Sequence, residues 1–272
     1  MPKKPGAYHR PENMAEALQL LAQPESVALA GGTKLLASED GLPVDHVIDL
    51  QALGLNQIEA GRDWLIVGAT CTLKDFSAAL AQEYLAEPLS LLLQEVIKRE
   101  GPNTYRNAAT LGGTIASRLP DSELLAVLLV LDARLSFAGS PSSEGNSLAD
   151  YLAAPDSQFG LITAVQIPWA TGLGAAERVA RTPADYPIVS VVAWQPSGGA
   201  IRLAATGIGL LPQRLHSAEA VLTEEINEDT IIAAASATKE SAHHPGDFRG
   251  DADYRAQMAE VLTRRVLVKL GQ

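Results

Sequence analysis

Two short segments combine paired glycines with small or β-branched neighbours, a pattern that suits contact with phosphate. The first glycine segment reads Ala30-Gly31-Gly32-Thr33-Lys34-Leu35, and the second reads Thr110-Leu111-Gly112-Gly113-Thr114. Glycine permits positive φ and leaves its backbone N–H uncovered, so such a segment can lie directly against a phosphate. Together, the two segments could hold both phosphates of one dinucleotide. Each glycine pair taken alone is more typical of an ordinary turn.

The spacing of these glycines excludes the common nucleotide-binding motifs. Neither segment has the G-x-G-x-x-G pattern of a Rossmann fold or the G-x-x-x-x-G-K-[ST] pattern of a P-loop. The sequence also lacks an evident Ser-His-Asp arrangement and an H-E-x-x-H pattern. Any nucleotide site built from the two glycine segments must therefore belong to a different fold.

Metal-binding and nucleophilic residues are sparse. Cys71 is the only cysteine, which excludes an intrachain disulfide and a cysteine-ligated iron–sulfur cluster on this chain. It lies in the apolar stretch 65–71, so we expect a core residue rather than a nucleophile. The adjacent His243 and His244 point in different directions and lack a third ligand at suitable spacing. We expect them in a surface loop, and we expect no metal site on this chain.

Composition limits the class of protein and its partners. The chain has 272 residues, of which 47% are hydrophobic, enough for two or three packed subdomains. Its formal net charge of -11 argues against binding to nucleic acid or to an anionic membrane surface. No apolar run is long enough to cross a bilayer, and residues 1–5 lead into no apolar stretch. We therefore expect a cytoplasmic protein without membrane insertion.

Hydrophobic patterns place the glycine segments among alternating helices and strands. Apolar spacing predicts a helix over 13–21 and a short strand over 27–30 that runs into the first glycine segment. Further strands are predicted at 47–50 and 64–69. The other predicted elements before residue 170 are helices at 72–80 and 89–99, a helix or buried segment at 122–131, a strand at 135–137 and an edge strand at 161–167.

The last hundred residues have a different pattern. Two β-rich runs at 188–194 and 200–209 flank the turn Pro196-Ser197-Gly198-Gly199, which predicts an antiparallel hairpin. Helical spacing follows at 217–222, 230–238 and 251–270. A small antiparallel sheet backed by helices is therefore expected here.

Read in order, these stretches resemble the FAD-binding subunit of the molybdenum hydroxylases, the group of xanthine dehydrogenase and aerobic carbon monoxide dehydrogenase. The matching text is ALAGGTKLLA at 28–37, VIDL at 47–50, LIVGATCTLKDF at 65–76, YRNAATLGGTIAS at 105–117, LLAVLLVLDARLSF at 124–137, ITAVQIPW at 162–169, PIVSVVAW at 187–194 and GDFRGDADYRAQMAEVLTRRVL at 246–267. Colinear matches in eight segments are far more specific than one glycine pair.

The resemblance implies an α+β fold of the vanillyl-alcohol-oxidase (PCMH-like) type. Two FAD-binding α/β subdomains are expected at 1–55 and 56–171. A C-terminal subdomain at 172–272 is expected to hold a three-stranded antiparallel sheet with helices.

The resemblance also implies a non-covalent FAD and its contacts. The first glycine segment would hold the pyrophosphate, and the second would reach the pyrophosphate and the ribityl chain. Glu123 stands where the family has an aspartate for sugar hydroxyls, with Asp121 as a nearby substitute. The cofactor-binding residues implied in this way are Ala30, Gly31, Gly32, Thr33, Lys34, Leu35, Thr110, Gly112, Gly113, Thr114, Glu123 and Tyr186.

Several of these assignments have alternatives. For Lys34 a solvated side chain is favoured over direct phosphate contact, and Tyr186 could equally begin an ordinary core strand instead of covering the flavin ring. Arg106 could brace the second glycine segment or form a surface salt bridge. Thr114 replaces the asparagine that usually follows the family's second glycine pair, and Gly160 replaces a usual glutamate. These departures predict weaker retention of FAD than is usual in the family.

As a function, the resemblance implies electron transfer within a heteromeric molybdenum hydroxylase. A small partner subunit would carry two [2Fe–2S] clusters, and a large partner subunit would carry the molybdenum cofactor. Electrons would leave through FAD to an external acceptor such as NAD, a quinone or oxygen. No catalytic side chain is expected on this chain, because the flavin performs the redox chemistry. The alternatives are a stand-alone flavoprotein oxidoreductase and an assembly or scaffold protein with weakened FAD binding.

Overall fold

The computed structural model describes residues 6–37, 44–83, 87–139, 145–154, 160–183, 185–222 and 226–271. The chain divides into two units, each assembled from separate stretches of sequence. The first unit contains residues 1–76, 103–117 and 134–167, and the second contains residues 77–102, 118–133 and 168–272. The division into three subdomains at residues 55 and 171 stays a prediction.

Strands and helices alternate through most of the described chain. The strands are β1 (Ala7–His9), β2 (Ser26–Leu29), β3 (His46–Asp49), β4 (Ile58–Ala60), β5 (Trp64–Gly68), β6 (Arg134–Phe137), β7 (Asn146–Ser147), β8 (Ile162–Pro168), β9 (Gly172–Val179), β10 (Val189–Pro196), β11 (Arg202–Thr206), β12 (Gln213–Arg214), β13 (Gly246–Asp247) and β14 (Gly250–Asp251). The helices are α1 (Met14–Leu21), α2 (Leu73–Glu83), α3 (Pro88–Arg99), α4 (Asn103–Arg106), α5 (Leu111–Ala116), α6 (Glu123–Val130), α7 (Leu148–Ala153), α8 (His216–Ala220), α9 (Glu228–Glu240) and α10 (Ala252–Leu270). None of these helices is long and apolar enough to span a membrane.

A three-stranded parallel sheet in the first unit positions the first glycine segment. The strand order is β1-β3-β2, and α1 packs against β2 and β3. The helix begins where expected, because the side chain of Asn13 accepts a hydrogen bond from the backbone N–H of Glu16. β2 ends at Leu29, and the backbone N–H of Leu50 donates to the carbonyl of Leu29 at 2.9 Å. The chain therefore enters the first glycine segment at the carboxyl end of a parallel sheet, where α/β folds bind their ligands.

A five-stranded sheet with the order β4-β5-β8-β6-β7 completes the strands of the first unit. The prediction that residues 161–167 form an edge strand is wrong, because β8 lies between β5 and β6. Pro168 suggested an edge position since proline cannot donate to a ladder. It is the last residue of β8, where the missing N–H leaves the interior of the strand unaffected.

The second unit contains the antiparallel sheet that the sequence predicts. Its order is β12-β11-β10-β9, and β10 and β11 form the expected hairpin with Ala193 opposite Leu203. The turn closes with a hydrogen bond from the N–H of Gly199 to the carbonyl of Pro196. Helix α10 packs on β9 and β10 and contributes Leu262 and Val266 to the core. The sheet has a fourth strand beyond the three expected, because the two-residue β12 pairs with β11. The α+β fold class, with a C-terminal antiparallel sheet and helices, is confirmed.

Candidate functional site

The first glycine segment forms an open turn after β2. Gly32 has a φ of +70°, a conformation that residues with a Cβ rarely adopt. A Cβ at this position would also lie only 2.9 Å from Cδ1 of Leu36. Within the described part of the chain, the backbone N–H groups of Gly31, Gly32 and Thr33 donate no hydrogen bond. Successive uncovered N–H groups of this kind form a concave anion site, or nest.

The second glycine segment is the first turn of α5 and not a loop. Thr110 is the N-cap residue, and its Oγ1 accepts a hydrogen bond from the N–H of Gly113 at 3.1 Å. The N–H of Thr114 donates to the carbonyl of Thr110, and the N–H of Gly112 donates to the carbonyl of Ala69, both at 2.9 Å. These amides are therefore already engaged. We expected a second nest here, and the capping interaction of Thr110 explains the difference.

Close backbone contacts bring the two glycine segments together within the first unit. A Cβ on Gly31 would lie 1.9 Å from the carbonyl oxygen of Ala108, two residues before Thr110. A Cβ on Gly112 would lie 2.6 Å from the Cβ of Ala69. No side chain fits at either position, so these two glycines permit close packing. Gly113 is different, because its Cβ would meet only Oγ1 of Thr110 within 4 Å.

Both glycine segments line one cavity of about 660 Å³ in the first unit. This volume lies within the range of small-molecule sites, roughly 300–1,000 Å³. Ten of the twelve residues predicted to bind the cofactor line it, namely Ala30, Gly31, Gly32, Thr33, Lys34, Leu35, Thr110, Gly112, Gly113 and Thr114. The structure therefore brings together residues that lie some eighty positions apart in sequence.

Sequence reasoning missed the apolar wall and several hydroxyl groups of this cavity. The additional lining residues include Leu21, Val27, Leu50, Tyr105, Ser117, Tyr151 and Ile162. They come from α1, β2, α4, α7, β8 and the segments after β3 and α5. Only the fold brings such distant positions together, so no local motif could have identified most of them. Tyr105 is the exception, since it lies just before the second glycine segment.

Lys34 is held over an aromatic ring. Its Nζ lies 5.6 Å from the centroid of the Tyr105 ring, within the range of a cation–π interaction. Both residues line the cavity. The expectation that the side chain of Lys34 is simply solvated is therefore incomplete, because the ring of Tyr105 is a specific partner at the site.

Two matches with known families decide the identification. The family model described as FAD binding domain in molybdopterin dehydrogenase matches residues 4–170. The model described as CO dehydrogenase flavoprotein C-terminal domain matches residues 176–270. The chain belongs to this family of FAD-binding proteins. The resemblance inferred from the sequence is thereby confirmed, as is the assignment to an oxidoreductase family.

Individual relatives and a solved structure agree with this assignment. The uncharacterized protein YgfM of Escherichia coli K12 is 30% identical over 94% of this chain and 92% of its own length. The carbon monoxide dehydrogenase medium chain of Hydrogenophaga pseudoflava is 28% identical over 96% of this chain and 95% of its own length. The crystal structure of the carbon monoxide dehydrogenase from H. pseudoflava has the same fold, with a TM-score of 0.88, 24% identity and coverage of 100% of this chain and 99% of that chain.

The residues of the cavity fit FAD, the cofactor of the family. The nest of the first glycine segment offers adjacent N–H donors to a diphosphate, which carries two negative charges. Apolar side chains such as Leu21, Val27 and Ile162 suit the flat rings of a dinucleotide. The hydroxyl of Thr33 lines the same cavity and suits sugar or ribityl groups. The hydroxyl of Ser117 donates to the carbonyl of Gly113 at 2.7 Å and can still accept a hydrogen bond from such a group.

Glu123 lies in the second unit and is not among the residues that line this cavity. Its side chain is 2% exposed. One carboxylate oxygen accepts from Arg99 at 3.1 Å and the other accepts from Arg178 at 2.9 Å. Both oxygens are thus used inside the second unit. The assignment of Glu123 to the sugar hydroxyls stays a prediction, as does that of Asp121, which pairs with Arg249 at 2.9 Å.

Tyr186 also belongs to the second unit, where it is half-buried and lies between β9 and β10. Two arginines hold the backbone on either side of Tyr186. Arg178 donates to the carbonyl of Pro183 at 2.6 Å, and the buried Arg255 donates to the carbonyl of Ile188 at 2.5 Å. The segment is therefore well anchored in either of the two roles considered for Tyr186, and its contact with the flavin ring stays a prediction.

The cysteine and the two adjacent histidines are held by burial or by hydrogen bonds to the backbone. Cys71 is buried, as expected, and burial raises the pKa of its thiol to about 12, so the thiol is protonated at neutral pH. His243 Nδ1 lies 2.9 Å from the carbonyl of Ser241, and His244 Nδ1 accepts from the N–H of Gly246. Among the residues that the structure describes, no group of three or more His, Cys, Asp or Glu could hold a metal ion.

Proposed function

We propose that the chain is the FAD-bearing electron-transfer subunit of a heteromeric molybdenum hydroxylase. The bound FAD would supply the redox chemistry, with electrons entering from two [2Fe–2S] clusters on a small partner subunit and leaving to an external acceptor. The large partner subunit would carry the molybdenum cofactor and hydroxylate the substrate. This assembly is the one suggested by the similarity to carbon monoxide dehydrogenase medium chains.

The convergence of the two glycine segments on one cavity carries this proposal. The uncovered amides of Gly31, Gly32 and Thr33 would bind the diphosphate, and the second segment would form the opposite wall. Gly113 leaves room in the cavity at this wall, because a side chain at its position would enter the space beside Thr110. The role of this chain is therefore to bind and orient the flavin and to shield it from water.

The lining of the cavity favours a relay over a stand-alone flavoenzyme. A flavoprotein that oxidises its own substrate needs an acid–base group near the reacting atoms. The described residues that line the cavity include no carboxylate and no imidazole. Its lysine and its two described tyrosines have structural partners, because Lys34 lies over the ring of Tyr105 and Tyr151 packs on Phe137. Cys71 is the only cysteine of the chain and is buried, so iron–sulfur ligands must come from another chain. Both observations support electron entry from a partner.

One observation keeps a scaffold function as the second candidate. Thr114, which stands in the place of the family's asparagine, is 3% exposed and donates its hydroxyl to the carbonyl of Thr110. Glu123 is engaged by two arginines. Two groups that would assist FAD are thus used for internal bonds. A scaffold protein of this kind would purify without flavin.

The deciding experiment is co-expression of the tagged chain with its candidate partner subunits, followed by visible spectroscopy and metal analysis. We expect a yellow chain that co-purifies with iron and molybdenum. The isolated chain should be reduced by dithionite and reoxidised by an acceptor, yet show no turnover with purines, aldehydes or carbon monoxide. A colourless, folded chain would favour the scaffold. Substrate-dependent flavin reduction by the chain alone, at the rate of the complex, would favour the stand-alone enzyme.

We further propose that the flavin is bound without a covalent link. Covalent attachment uses a His, Cys or Tyr aimed at the ring, and neither glycine segment contains one. Two tyrosines do line the cavity, of which Tyr105 contacts Lys34 and Tyr151 packs on Phe137 with ring centroids 5.9 Å apart. Acid precipitation should release all of the yellow colour into the supernatant. Colour retained by the precipitate would contradict this proposal.

A further inference from the structure

Among the described residues that line the cavity, one side chain is charged at neutral pH. Of the described residues that line it, Lys34 is the only lysine or arginine, and none is an aspartate or glutamate. Lys34 follows directly after the three uncovered amides of Gly31, Gly32 and Thr33. The only lysine or arginine among the described lining residues therefore follows the nest directly in sequence and lines the same cavity.

The aromatic ring of Tyr105 gives this cation a defined place. The distance of 5.6 Å between Nζ and the ring centroid lets the negative face of the ring attract the ammonium group. The backbone below the ring is itself held, because the carbonyl of Tyr105 accepts from the N–H groups of Ala108 and Ala109 at 3.0 and 2.7 Å. A lysine side chain is otherwise flexible, so this contact reduces the freedom that it would lose on binding an anion.

The charge of the whole chain makes a local cation important. With a net charge of -11, the protein repels a dianion at long range. Backbone amides contribute only partial charges, and the described lining residues offer no second full positive charge. A diphosphate entering this cavity would therefore gain most of its charge neutralisation from one side chain.

We propose that Lys34, positioned by the face of Tyr105, selects ligands of this cavity by their diphosphate group. The proposal rests on the proposed FAD site and assigns to one side chain the preference for a dinucleotide over an uncharged flavin. Lys34 would contact the diphosphate, whereas Tyr105 is a positioning residue that acts through Lys34. FAD and ADP share the diphosphate and should both depend on Lys34, whereas riboflavin lacks phosphate and should not.

The test uses the full chain freed of flavin, with binding of FAD, ADP and riboflavin measured by fluorescence or calorimetry. Lys34→Met should lower the affinities for FAD and ADP by about tenfold or more, the usual value of a hydrogen bond to a charged group. It should leave the affinity for riboflavin unchanged. It should also flatten the dependence of FAD affinity on salt. Lys34→Arg should retain most of the affinity. Lys74→Met is the matched control, since it removes an exposed lysine of the same unit outside the cavity.

The role of Tyr105 is tested by a double-mutant cycle. Tyr105→Leu should lower the affinity for FAD by about threefold, in keeping with the modest strength of a partly exposed cation–π contact. Tyr105→Phe should retain the affinity, because it keeps the aromatic ring. Tyr105→Leu should have no further effect in the Lys34→Met background. The inference is overturned if Lys34→Met binds FAD as tightly as the wild type does. It is also overturned if the variant loses as much affinity for riboflavin as for FAD. If the folded wild-type chain binds no FAD at all, the proposed FAD site fails, and this inference fails with it.

Discussion

The two glycine segments share the letters Gly-Gly-Thr and line the same cavity, yet their backbones differ. In the first, Gly32 adopts a φ of +70° and the N–H groups of residues 31–33 are uncovered. In the second, the glycines lie inside α5 and their N–H groups are bonded to Ala69 and Thr110. The same short pattern thus produces an anion site in one place and a helical wall in the other.

The residue two positions before the glycines accounts for this difference. Thr110 can cap a helix, because its hydroxyl accepts the N–H three residues ahead. Leu29 at the equivalent position has no side-chain acceptor, so the first segment gains nothing from starting a helix there. A glycine pair in a sequence therefore indicates close backbone approach, and the residue two positions before the pair decides whether its amides remain available. The predictions below test this comparison.

The largest effect is expected for Gly31→Ala, which would separate the two segments. Its Cβ would lie 1.9 Å from the carbonyl oxygen of Ala108, so the backbone must move. We expect the free energy of unfolding to fall by roughly 3 kcal/mol, the upper range for an overpacked site. Urea denaturation measures this, with Gly271→Ala as a control because its nearest Cβ contact would be an ordinary 3.7 Å. An unchanged midpoint for Gly31→Ala would show that the segments do not touch.

A second, smaller contrast lies within α5 itself. Gly112→Ala would place its Cβ 2.6 Å from that of Ala69 and should cost about 2 kcal/mol of unfolding free energy. Gly113→Ala faces the cavity and meets only Oγ1 of Thr110, so the helix propensity gained by alanine, up to about 1 kcal/mol, should roughly offset the damaged cap. Thermal unfolding of both variants distinguishes the two glycines. Equal destabilisation would contradict the distinction between a packing glycine and a cavity glycine.

Much of the fold could be predicted because its long elements have a clear period. Helices α1, α3 and α10 and the hairpin of β10 and β11 were all indicated by apolar spacing or turn residues. The strand β9 was missed, since Gly172, Gly174 and paired alanines at 175–176 give no alternation. The central position of β8 was missed as well, because strand order depends on long-range pairing that one sequence does not display.

The candidate site was predictable to the extent that its residues lie in motifs. The ten lining residues of the two glycine segments could be identified because glycine pairs are visible in the text. The state of their amides could not, since it depends on whether Thr110 begins a helix. The ion pairs of Glu123 with Arg99 and Arg178 join positions 24 and 55 residues apart. No local sequence pattern predicts such pairs.

A third test concerns the nest and separates backbone strain from ligand binding. Gly32→Ala and Gly54→Ala both force alanine into a φ near +70°, which costs about 1–2 kcal/mol of stability in each case. Only Gly32 lines the cavity. We expect Gly32→Ala to weaken FAD by at least about tenfold, the value of one lost charged hydrogen bond, while Gly54→Ala binds FAD normally. Equal FAD affinity in the two variants would remove the nest from the binding site.

The smallest effect is expected for Thr110→Val, which removes the cap of α5 while keeping the shape of the side chain. Loss of an N-cap hydroxyl costs typically about 1 kcal/mol of stability, and Thr110→Ser should restore most of it. FAD affinity should fall by no more than about threefold, because the N–H of Gly113 is directed to Thr110 and any lost hydroxyl contact is worth a single neutral hydrogen bond. Unfolding curves and FAD titrations of both variants provide the measurement. If Thr110→Val lost as much FAD affinity as Gly32→Ala, the second segment would contact the diphosphate as strongly as the first, and the contrast between nest and wall would no longer hold.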